Sequence, residues 1–147
     1  MAALDRLLDR IGDPLDESKP HPLVTLEEFF TDNNDLESLG DYAQSKFDPQ
    51  SFFTALADLR ARDGFHDIRV EILPKLSAAG WPCSDTVWIV SDFDRMELPR
   101  QLTPTFWDGG FLPCDWLSYP RADGVLIEPL DAPEDAFVQG FAYYYYD

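Results

Sequence analysis

HDIRVEIL (residues 66–73) decides the fold. Ile68, Val70 and Ile72 alternate with Asp67, Arg69 and Glu71. A period of two places the apolar residues on one face of a strand and the charges on the other, as in a half-buried strand. DTVWIVSD (residues 85–92) follows. Its unbroken apolar run reads as a second strand covered on both faces, hence central in a sheet. The two strands pair, directly or across another strand. Their apolar faces need a second layer, which the flanking sequence must supply.

DPQSFFTALADLRARDG (48–64) supplies it. Asp48 suits the N-cap and Pro49 the first helical position. Phe52, Phe53, Leu56 and Leu59 fall on one helical face. Arg60 and Arg62 suit the negative end of the helix dipole, and Gly64 is expected to end the helix. Upstream, ALDRLLDRIGDP predicts an amphipathic helix with Leu4, Leu7, Leu8 and Ile11 on one face, stopped by Gly12 and Pro14. PLDESKPHP reads as a linker. Thr25 with Glu28 forms a capping box for a short helix over Leu26–Phe30. TDNNDLESLG then reads as a turn-rich loop.

Downstream, prolines recur. A helix around Asp94–Leu102 is expected, with Pro99 kinking it or starting a second piece. TPTFWDGGFLPCDWLSYPRADG reads as an irregular, aromatic-lined excursion. GVLIEPL is a short strand, and VQGFAYYYYD the last. In that last strand Phe141, Tyr143 and Tyr145 share one face, and Ala142, Tyr144 and Tyr146 the other. The expected fold is one α+β domain over residues 1–147. Its antiparallel or mixed sheet has about four strands, near 66–73, 86–91, 125–128 and 139–146, with helices mainly on one face. The expected core is Phe52, Phe53, Leu56, Ile68, Val70, Ile72, Val87, Ile89 and Phe141.

Charge bounds the function. The 147 residues carry a net charge of −17. Such a chain repels nucleic acid and anionic membranes and favours basic protein surfaces. No apolar run approaches the roughly 20 residues of a membrane span, and MAALDRLLDRIGDP does not read as a secretory leader. Cys83 and Cys114 form neither a metal box nor a disulfide framework, so reduced cysteines in a cytoplasmic protein are expected.

VTLEEFFTDNNDLESLG, FFTALADLRARDGFHDIRVEI, WPCSDTVWIVSD and the closing YYYD occur in one order. That order resembles a family of small acidic bacterial proteins without an assigned activity. The resemblance covers residues 22–92 and, loosely, the last strand; residues 95–138 depart from it. It implies an α+β fold and a bacterial cytoplasmic setting, and it supplies no catalytic residues. In size and charge the chain also resembles immunity proteins of bacterial toxin systems, an analogy of type.

Three function classes follow. The leading one is a non-enzymatic module that binds a basic protein, most concretely an immunity protein that occludes a basic toxin. Residues 11–45 carry nine acids and one base, interspersed with Phe and Leu, which suits steering with aromatic and aliphatic anchors. Its contact candidates are Asp32, Asp35, Glu37 and Asp41, then Trp107 and Trp116, with Tyr144 and Tyr146 if their face is open. No cofactor is called for. The second class is a divalent-metal-dependent enzyme using Asp92 and Asp94 of IVSDFD, since hard cations take oxygen ligands. Asp94 as a helix N-cap explains that pair more simply. DNNDLES lacks the spacing of a calcium loop and reads as a turn that caps its own backbone. His21 and His66 lack the neighbours of a nucleophilic site. The third class is a self-associating subunit, a homodimer.

Overall fold

The computed structural model describes residues 2–12, 21–39, 48–77, 79–94, 96–102, 112–118 and 135–142, with 112–118 and 142 in backbone only. Helix α1 spans Ala3–Ile11. Strand β1, Leu23–Thr25, runs without a break into α2, Leu26–Phe30. A 3-10 turn follows at Leu36–Ser38. Then come α3 (Pro49–Arg60), β2 (Phe65–Glu71), β3 (Thr86–Ser91), α4 (Leu98–Leu102), β4 (Leu112–Ser118) and β5 (Phe137–Ala142).

Local chemistry sets several of these boundaries. Thr25 and Glu28 make the reciprocal capping box, each side chain accepting the other's backbone N–H at 3.0 Å. Asp48 accepts the N–H of Ser51 at 2.7 Å, and Pro49 opens α3. The Ser51 bond also holds the Asp48 carboxyl below its ordinary range. The end of α3 differs from expectation. The helix closes at Arg60 with Ala61 as its cap. Gly64, at φ 90°, instead makes the turn into β2, where the ring of Phe93 packs against it.

The strands form one antiparallel sheet in the order β1-β2-β3-β5-β4. β2 and β3 pair directly, Ile68 opposite Ile89 and Val70 opposite Val87. All six residues of β3 are buried, as its continuous apolar run predicts. Helices α1, α2, α3 and α4 all contribute to one core on one sheet face: Leu7, Leu26, Phe29, Phe30, Phe52, Leu56, Leu59, Leu98 and Leu102 pack with Val24, Ile68, Val70, Val87, Ile89 and Phe141. Of the expected core, Phe53 alone is partly buried; its ring stacks on Phe30 at 5.4 Å. Truncating Phe52 or Leu56, both fully buried, would cost about 2–5 kcal/mol.

Three expectations need correction. The stretch read as leading out of a linker contains the edge strand β1, which pairs Val24 with Val70. The aromatic excursion contains β4, a full strand paired with β5. Its register slips between Pro113 and Asp115, so no alternation shows. The charged face of β2 is not open to water. Arg69 is buried and bonds Asp67 at 2.6 Å. Glu71 accepts the indole N–H of Trp88 at 2.8 Å and lies 3.0 Å from His21 Nδ1. The expected strand at 125–128 and the tyrosines 143–146 lie outside the described residues.

Candidate protein-binding surface

The acidic loop after α2 is built from the inside. Asp32 takes a left-handed conformation, φ 61°, which a short polar side chain tolerates. The next residue, Asn33, is fully buried. Its amide donates to Phe29 O at 3.3 Å and Ser38 Oγ at 3.0 Å, and its Oδ1 accepts from Asp35 N at 2.9 Å. Asp35 Oδ1 caps the 3-10 turn by accepting from Glu37 N at 3.0 Å. The Asp35 carbonyl accepts both the N–H and the hydroxyl of Ser38. From α3, Gln50 donates to the carbonyls of Phe30 and Asn33 at 2.7 and 2.8 Å.

The connection between β2 and β3 supplies the other half of the support. Ser77 donates its hydroxyl to Asp35 Oδ2. Ser84 N donates to Ser38 O at 2.8 Å, and Leu39 and Ser84 form a parallel bridge. Cys83 donates its thiol to Glu37 O at 3.6 Å; it is a free cysteine whose pKa is pushed up by burial. Polar side chains thus hold the loop on its inner side. On its outer side Asp32, Asn34, Leu36 and Glu37 are exposed, Leu36 to 48%. The same connection exposes Leu76 to 40%. The loop presents fixed negative charge around an apolar side chain.

The structure therefore brings together Asp32, Asp35 and Glu37 but gives them different orientations. Asp32 and Glu37 are exposed, and both oxygens of Asp35 are bonded to the protein itself. Trp116 sits in β4 opposite Gln139 in the strand register. Asp41, Trp107, Tyr144 and Tyr146 lie outside the described residues. Sequence reasoning missed Leu36 and Leu76 as exposed apolar groups, and it missed Ser77 and Ser84 as supports. The supports lie in a stretch without periodicity, so no local signal marks them.

The alternative pair takes up local bonds. Asp94 Oδ1 accepts from Met96 N and Glu97 N, both at 2.9 Å, and caps the turn leading into α4. Asp92 Oδ1 lies 2.7 Å from His66 Nε2. Among the described residues no three His, Cys, Asp or Glu side chains gather as a metal site. An open groove of about 270 Å³ lies between α1 and α2, lined in part by Arg6, Glu27 and Glu28. Glu27 pairs with Arg60 and Glu28 with Arg10. Among the described residues no helix is long and apolar enough to cross a membrane.

Residues 2–124 match the model of a family described as the Uncharacterized protein YfbO family. The Uncharacterized protein YfbO of Escherichia coli (strain K12) is 29% identical over 94 residues, 62% of this chain and 66% of that protein. The match thus spans just under two thirds of the curated relative's length. No solved structure matches the chain.

Proposed function

The chain belongs to the Uncharacterized protein YfbO family, and from that premise we propose that it is a non-enzymatic module that binds a basic protein. The observation that carries this reading is the acidic loop, fixed from within and exposing Asp32, Leu36 and Glu37 in a chain of net charge −17. A fixed loop loses little conformational freedom on binding. The negative field speeds encounter with a basic surface, and an apolar side chain within an acidic rim supplies a desolvated contact. The most concrete form is an immunity protein. A toxin that acts on nucleic acid needs a basic cleft, and an acidic loop of this kind suits occlusion of such a cleft.

The test is a pulldown from the source organism at low and high salt, followed by affinity measurement with the purified captured protein. The reading expects a basic protein whose affinity falls steeply with salt. Asp32→Asn with Glu37→Gln should flatten that dependence, and Leu36→Ser should weaken binding without flattening it. Absence of a salt-released basic protein, or a salt dependence untouched by the double substitution, would sink the reading.

A further inference from the structure

Two segments far apart in sequence meet at the acidic loop. Asp35 and Ser77 bond across 42 residues. The backbone of Ser38 takes the N–H of Ser84, and the carbonyl of Glu37 takes the Cys83 thiol. Every tie runs from residues 35–39 to residues 77–84. Asp35 is the node, since its other oxygen and its carbonyl organise the 3-10 turn. Asp35–Ser77 is the one pair among these ties formed by two side chains, and hydrogen bonds to a charged group are the stronger kind.

We propose that Asp35 and Ser77 form a latch that closes the acidic loop onto the 77–84 connection, and that its release is a local opening that uncovers Cys83. Asp35 is then a positioning residue. It orients Asp32, Leu36 and Glu37 and does not itself meet a partner. The latch is a property of the free chain and stands apart from the partner proposed above. Polar ties hold residues 35–38 to the connection, while Leu39 and Trp81 stay anchored in the buried core, so the opening is confined to the turn ahead of Leu39. Regions held by few apolar contacts open below the free energy of global unfolding. Cys83 reports the event. It is 7% exposed when the loop is closed, and a buried thiol reacts slowly.

The experiment is alkylation of the folded, full-length chain by iodoacetamide at fixed pH. The rate is read by mass spectrometry on the peptide that carries Cys83, so Cys114 does not interfere. Ser77→Ala and Asp35→Ala should each speed labelling about tenfold or more, the loss expected for a hydrogen bond to a charged group. Asp9→Asn, on the exposed face of α1, should label like the unmodified chain. Both substitutions remove the Asp35–Ser77 bond, and Asp35→Ala removes the cap on Glu37 N as well, so the double variant should label no faster than the faster single. Leu56→Ala controls for lost global stability. Should Asp35→Ala fail to fold, Ser77→Ala alone decides, because it leaves the cap of the 3-10 turn intact. Unchanged labelling overturns the proposal. So does acceleration no greater than that of Leu56→Ala at equal unfolding midpoint, or singles whose effects multiply.

Discussion

Arg60 grips Glu27 with both arms of its guanidinium: Nη1 donates to Oε1 at 3.0 Å and Nη2 to Oε2 at 2.5 Å. The pair ties the end of α3 to the start of α2. Its hydrogen bonds hold the Glu27 carboxyl below the usual glutamate range and push the Arg60 guanidinium up. A carboxylate with a lowered folded pKa stabilises the fold above its unfolded pKa. That contribution is lost as pH falls through the folded value. Glu27→Gln should therefore lower stability at neutral pH and make little difference in strong acid. Glu27 is 54% exposed, so solvent screening limits the effect to below about 1 kcal/mol. Urea unfolding at neutral and acid pH checks this, and an equal loss at both would refute the ion-pair account.

Gly64 and Gly12 both have positive φ, 90° and 75°. A Cβ on Gly64 would come within 2.6 Å of the Phe93 ring, whereas one on Gly12 would meet nothing within 4 Å. Gly12→Ala should cost about 1 kcal/mol through backbone strain alone. Gly64→Ala should cost about 2–3 kcal/mol, because the ring must also move. Equal urea midpoints for the two variants would mean that Phe93 swings aside freely.

Arg69 and Asp67 are 6% and 18% exposed, and their bond is 2.6 Å long. Arg69→Met removes a hydrogen bond between charged groups but leaves Asp67 partly exposed and still accepting the N–H of Ile68 at 2.8 Å. Arg69→Met is expected to cost about 1–3 kcal/mol. Adding Asp67→Leu should recover much of that loss, since a buried ion pair is often no better than apolar side chains of similar size. A double variant as unstable as Arg69→Met would show that Arg69 holds more than Asp67.

Gln139 is 4% exposed, and among the described residues its Oε1 has no hydrogen-bond partner. It lies opposite Ile89 in the register, on the helix-covered face of the sheet. A buried acceptor left without a donor is destabilising. Gln139→Met keeps the shape and removes the acceptor, so it should raise stability by about 1 kcal/mol. A marked loss in denaturant midpoint would count against an orphaned oxygen.

Elements governed by neighbours in sequence were legible. The Thr25–Glu28 box, the Asp48–Pro49 start and the alternation of β2 all act within a few residues, so they show in the chain itself. β1 did not show, because three residues are too short to display a period and its partner is β2, far along the chain. β4 did not show because the register shift beside Pro113 breaks its alternation. Proline also argues against a strand except at an edge, and β4 lies at an edge. At the candidate surface, composition pointed to the acidic loop and turn chemistry to its self-capping. The inward role of Asp35 depends on Ser77, a tertiary partner that no local pattern names.

The junction at Thr25 bears on how this chain can vary in length. Thr25 is the last residue of β1 and the N-cap of α2, so no connecting loop can absorb an insertion. One residue added after Thr25 would turn α2 by about 100° and carry Phe29 and Phe30 out of the core. One added before it would shift the register of β1 and move Val24 to the opposite face. Residues 23–30 therefore form an elbow of fixed length, in which strand register and helix rotation are set by the same residue.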